Sequence, residues 1–91
     1  MSAAEPSEDL KELGATLGSI EAVLKPEAMR AELATLETEA ADPDLWSDQE
    51  RAQRVTRRMA TLRADLARLD GLRGHLDDLS AAIELGDEDL L

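Results

Sequence analysis

Ala52, Val55, Met59, Leu62, Leu66 and Leu69 recur at alternating steps of three and four residues, the spacing that holds one apolar seam on one face of a helix wound against a neighbour. No run of Val, Ile and Thr reads as a strand, and Leu, Ala, Glu and Arg, all good helix formers, dominate the chain. The expected fold is therefore all-α: three helices, or four, in a small antiparallel bundle with one long coiled-coil-like helix. With 1% aromatic residues in 91, the core falls to Leu, Ala, Val, Ile and Met and is thin.

Residues 1–6 are small and polar and are expected to be disordered, leaving 7–91 as one helical domain. Leu10, Leu13, Leu17, Ile20 and Leu24 mark a first helix over about 8–24. Gly14 and Gly18, four apart, read as a small groove where a neighbouring helix comes close. Pro26 stops this helix and suits the first turn of the next, 27–41, whose stripe is Met29, Leu33, Leu36 and Ala40. A third helix spans 48–79, followed by a short segment at 80–86. Beyond Leu69 the leucines at 72, 76 and 79 slip by one residue, the mark of a stammer, and Gly71 and Gly74 fall at the same place. A continuous but bent helix is expected, with a break near Gly71 as the alternative. The first two helices are too short to cover it, so an apolar stripe near 66–85 should face a missing element or a second copy. The chain reads as a fragment, expected to self-associate through residues 62–85.

Asp42 to Gln53 joins a helix stop to a helix start. Pro43 lacks an amide proton and turns Asp42 away from helical geometry. Ser47 and Glu50 have the Ser-x-x-Glu form of a capping box. Between them lies Trp46, which reads as a ligand-stacking ring or as an anchor pinning the corner; one ring makes no stacking platform, which favours the anchor. A buried Trp removes about 150–250 Å² from water, so Trp46→Ala should loosen the corner.

The formal charge of −11 opposes nonspecific nucleic-acid binding, and neither DNA nor a membrane is an expected partner. The charge is unevenly spread: residues 1–50 hold 3 basic and 13 acidic groups, residues 51–79 hold 7 and 4, and residues 80–91 hold 4 acidic ones. Without cysteine there is no disulfide, thiolate nucleophile or thiolate metal site. The acidic N-terminus is no signal peptide and no apolar run approaches membrane-spanning length, so the cytoplasm is the expected compartment. His75 is the single histidine, placed by default on a helix surface, and no Ser/His or Cys/His site can be built around it. Asp77-Asp78 and Asp87-Glu88-Asp89 lack the spacing of a calcium loop, and no glycine-rich phosphate loop occurs. No catalytic residue, metal site or cofactor is expected. Arg51, Arg54, Arg57 and Arg58 form the candidate interaction cluster. They could meet RNA phosphate, or balance charge internally, with Glu50 beside Arg54 and the acidic first helices nearby.

Asp42-Pro43-Asp44-Leu45-Trp46, then Gln49-Glu50-Arg51-Ala52-Gln53, then Leu76-Asp77-Asp78-Leu79 and Glu84-Leu85 resemble the N-terminal part of bacterial peptide chain release factor 2 over nearly all residues after Leu10. The Pro-Asp-x-Trp corner favours this family over its release factor 1 paralogue. The resemblance implies a cytoplasmic translation-termination factor that reads UGA and UAA and triggers peptidyl-tRNA hydrolysis. It also implies that this helical domain reaches toward the stalk base of the ribosomal large subunit. The family's Gly-Gly-Gln and Ser-Pro-Phe tripeptides do not occur here, so no catalytic or codon-reading residue carries over. The alternative is a free-standing coiled-coil adaptor or regulator that binds a partner helix along the exposed seam. A helical RNA-binding module using the arginines is a third reading, weakened by the net charge.

Overall fold

The computed structural model describes residues 6–89. Within them the fold is all-α: helices α1 (Pro6–Leu24), α2 (Pro26–Ala40) and α3 (Gln49–Asp89), with a 3-10 turn at Pro43–Ser47 before α3. Pro6 opens α1, while the rest of the stretch expected to be disordered lies outside the described residues. No separate fourth segment exists: α3 is unbroken for 41 residues, through Gly71, Gly74 and 80–86. Two helical glycines cost about 1 kcal/mol each relative to alanine, too little to break a helix whose backbone bonds run on either side. Nor do Gly14 and Gly18 mark a close helix approach, because an added Cβ at either would meet nothing within 4 Å.

Lys25 alone separates α1 from α2. A residue before proline is pushed out of the right-handed helical region, and Lys25 takes the left-handed one, with φ 55 and ψ 73. Its carbonyl accepts from Met29 N at 3.1 Å, so α2 starts immediately, with Pro26 in the first turn where its missing donor is harmless.

Contacts divide the chain into two units, and α3 contributes to both. In the unit spanning 24–69, α2 and the first part of α3 are joined by the 3-10 corner and bridged by the Glu39–Arg51, Glu32–Arg58 and Glu37–Arg63 pairs. Its core is Leu45, Ala52, Val55 and Met59, with Leu33, Leu36 and Ala40 packed against it. The expected α2 stripe therefore faces the expected α3 seam.

The corner is built differently from its expectation. Leu45 is the buried residue, 1% exposed, whereas Trp46 is 57% exposed. The indole acts through its N–H, which donates to the Ala40 carbonyl at 3.1 Å, one of the acceptors that a helix end leaves without an internal partner. The Ser47–Glu50 capping box does not form. Ser47 Oγ instead donates to the Asp44 carbonyl at 2.7 Å within the 3-10 turn. The cap of α3 is Asp48, whose Oδ1 accepts from Arg51 N at 3.2 Å. The Glu50 carboxylate makes no hydrogen bond among the described residues. Before Pro43 the helix has ended at Ala40 and Asp42 is extended, with φ −79 and ψ 119; the 3-10 turn that Pro43 then opens was not expected, and in it Asp42 Oδ1 accepts from Asp44 N at 3.0 Å.

Along α3, every residue of the 52–69 seam is buried. Beyond it the three-four rhythm continues without a stammer: the covered positions are Arg73, Leu76, Ser80 and Ile83, all half-buried. Leu72 and Leu79 stand one position off the seam and are 51% and 50% exposed. α1 shows the matching rotation. Its covered face is Leu10, Gly14, Leu17, Gly18 and Glu21, with Leu13, Ile20 and Leu24 left exposed beside it. In the unit made of 6–23 and 70–89, Arg73 takes its seam position by hydrogen bonding Glu21. The stripe expected to be open near 66–85 is thus closed at Leu66 and Leu69, and its exposed leucines begin at Leu72; Leu62, the first residue of the span expected to self-associate, is buried as well.

Candidate functional site

The arginines of α3 divide by what α2 offers them. Arg58 is clamped by Glu32 through two hydrogen bonds, Nε to Oε2 at 2.6 Å and Nη2 to Oε1 at 2.9 Å. Arg51 lies 3.5 Å from Glu39, and Arg63, which sequence reasoning did not single out, lies 3.3 Å from Glu37. Arg54 and Arg57 make no ion pair among the described residues, and the expected Glu50–Arg54 pair is absent there. With Arg58 and Thr61 they line a shallow hollow of about 230 Å³. Internal charge balance and an available cationic patch, set against each other in the sequence, therefore coexist on one helix. Arg51 and Arg58 serve the first and Arg54 and Arg57 the second.

The Glu32–Arg58 clamp has a pH signature. The hydrogen bond from Arg58 and, to a lesser degree, its positive charge hold the Glu32 carboxyl below the ordinary carboxylate value, and Glu32 in turn raises Arg58. A carboxyl whose folded value is depressed stabilises the fold above its unfolded value of about 4.3, and that contribution vanishes as pH falls through the folded value. Glu32→Gln should therefore lower the melting temperature near neutral pH, with the gap to wild type closing below about pH 4. A gap that stays constant down to acid would show that the clamp is not felt by folding.

The second surface feature lies in the unit of 6–23 and 70–89. Leu13, Leu17, Ile20, Leu72, Leu76 and Leu79 line a hollow of about 300 Å³, completed by Thr16 and His75. His75 is exposed on the helix surface, as the sequence reading placed it. The sequence reading placed Leu72, Leu76 and Leu79 on an uncovered stripe near 66–85 but did not set Leu13, Leu17 and Ile20 of α1 beside them as one groove. The available signal was the unbroken three-four rhythm from Ala52, which assigns Arg73 and Ser80 to the seam and so expels Leu72 and Leu79. Among the described residues, no group of His, Asp and Glu is arranged to hold a metal ion.

The described residues thus form three helices that carry an arginine cluster on α3 and an apolar hollow lined by α1 and α3. The chain belongs to the PCRF domain family, whose sequence profile matches residues 29–91. It is similar to peptide chain release factor 2 of Frankia casuarinae, 58% identical over 89 residues, which is 98% of this chain and 24% of that protein. The release factors 2 of Streptomyces avermitilis and Acidothermus cellulolyticus are 44% identical over 98% of this chain and 51% identical over 91% of it; the matches cover 24% and 22% of their lengths. The chain thus spans about a quarter of these relatives. No solved structure matches it.

Proposed function

We propose that this chain serves as the helical docking domain of a translation-termination factor of the release factor 2 type, which acts at UGA and UAA codons and approaches the stalk base of the large ribosomal subunit. The observation that carries this reading is the 58% identity to a release factor 2 over 98% of the chain. The chemistry of peptide release resides elsewhere in such a factor, because neither Gly-Gly-Gln nor Ser-Pro-Phe occurs in these residues. No helix among the described residues is long and apolar enough to cross a membrane, and a ribosomal partner places the work in the cytoplasm.

Arg54 and Arg57 are the groups of the arginine cluster that meet ribosomal RNA. Among the described residues their guanidinium groups make no ion pair that a phosphate contact would have to break, and Arg is suited to bidentate phosphate recognition. Arg51 and Arg58 stay with Glu39 and Glu32 and hold α2 in place. Binding of the chain to purified large subunits should weaken with rising salt, and Arg54→Glu/Arg57→Glu should bind more weakly and reduce the slope of log affinity against log salt by about 1 to 2. Equal affinity and equal slope for the two proteins would remove these arginines from the contact.

A further inference from the structure

We propose that the groove between α1 and the last part of α3 is a docking site for a basic amphipathic helix of a separate protein. This inference does not depend on the ribosomal reading. Three observations carry it. First, the hollow beside Leu72 and Leu76 shares Leu13 and Leu79 with a second one of about 330 Å³ that reaches Leu10 and Ile83. Together they form a strip from Ile20 to Leu10 along α1, about 15 Å at 1.5 Å per residue, the length of three turns of a partner helix. Second, the lining is almost wholly aliphatic, and the helix register keeps it open. Arg73, bonded to Glu21, and Ser80 occupy the seam positions, so Leu72 and Leu79 cannot close into the seam.

The third observation is charge, and it decides the occupant. Residues 1–23 and 70–91 carry twelve acidic and two basic groups, net −10, whereas residues 24–69 carry nine and eight, net −1. Nearly all the negative charge of the chain therefore belongs to the unit that holds the groove. Asp9 lines the second hollow, and Glu8, Glu12, Asp77 and Asp78 are exposed on the same helical segments. A second copy of the chain would bring an equal negative charge to the contact, and RNA would bring phosphates; both are repelled. A helix with Leu, Ile or Met at every third and fourth position and Lys or Arg along its flanks satisfies both the groove and the field around it.

The test uses the whole chain and a labelled amidated peptide of about 14 residues, with Leu at alternating three-four spacing and Lys elsewhere, read by fluorescence anisotropy at near-physiological salt. The Lys peptide should bind, and the same peptide with Glu for Lys should not. Leu72→Ser/Leu79→Ser, which leaves the charge unchanged, should weaken binding tenfold or more. Circular dichroism checks that this variant keeps its helix; if it does not, Leu13→Ser on the opposite wall carries the same measurement. Equal binding by wild type and a folded groove variant would mean that charge alone attracts the peptide, and would overturn the proposal. So would binding of the Glu peptide, or light scattering showing a dimer of the free chain that the serine variant dissociates, since the occupant would then be a second copy.

Discussion

Leu45→Ala is expected to destabilise the 24–69 unit by about 2–5 kcal/mol, the range for truncating a buried leucine to alanine. Leu45 is 1% exposed and belongs to the core with Ala52, Val55 and Met59. Its position on a short 3-10 turn, tied at one end by Asp42 and followed at the other by the Asp48 cap, leaves the surroundings little freedom to collapse into the space. Trp46→Ala should cost far less, about 1 kcal/mol, because it removes one hydrogen bond and a ring already mostly in water. Denaturant midpoints of the two variants check the order. If Trp46→Ala proves the more damaging, the corner is held by the ring and the packing described for Leu45 is wrong.

Gly71→Pro should be comparably severe, about 3 kcal/mol or more. Residue 71 lies inside an unbroken helix, so a proline there removes the amide proton given to the Ala67 carbonyl and drives its ring against that carbonyl. Gly71→Ala should act in the opposite direction, raising stability by up to about 1 kcal/mol, since the new Cβ meets nothing within 4 Å and helix propensity improves. The pair of signs matters more than either value. A helix that broke at Gly71 would accept proline with little loss and draw no benefit from alanine, so thermal melts of the two variants separate a continuous α3 from an interrupted one.

The helices and the first half of the α3 seam could be read from the residues because periodicity, proline positions and burial all agreed there. From Leu69 onward they did not agree. Choosing the apolar residue at each turn leads to Leu72 and Leu79, but the helix keeps its register and places Arg73 and Ser80 on the covered face. An arginine is tolerated there because Glu21 on α1 receives it, a partnership 52 residues away that no local pattern announces. The corner misled for a related reason. Residue size favours Trp46 as the anchor, yet the 3-10 turn directs its neighbour Leu45 inward. Ser47 and Asp48 are both good caps, and the turn engages the Ser47 hydroxyl before α3 can use it. The arginine cluster was visible as a cluster, but its division into paired and unpaired members depends on where Glu32 and Glu39 of α2 come to lie.

The most direct test of a docking domain of the release factor 2 type is competition. In a purified termination assay at a UGA codon, an excess of this chain should occupy its place on the large subunit and slow peptide release by an intact release factor 2. The Arg54→Glu/Arg57→Glu chain should slow it less. Release that proceeds at an unchanged rate with the chain in saturating excess, and no co-sedimentation of the chain with large subunits, would contradict the account.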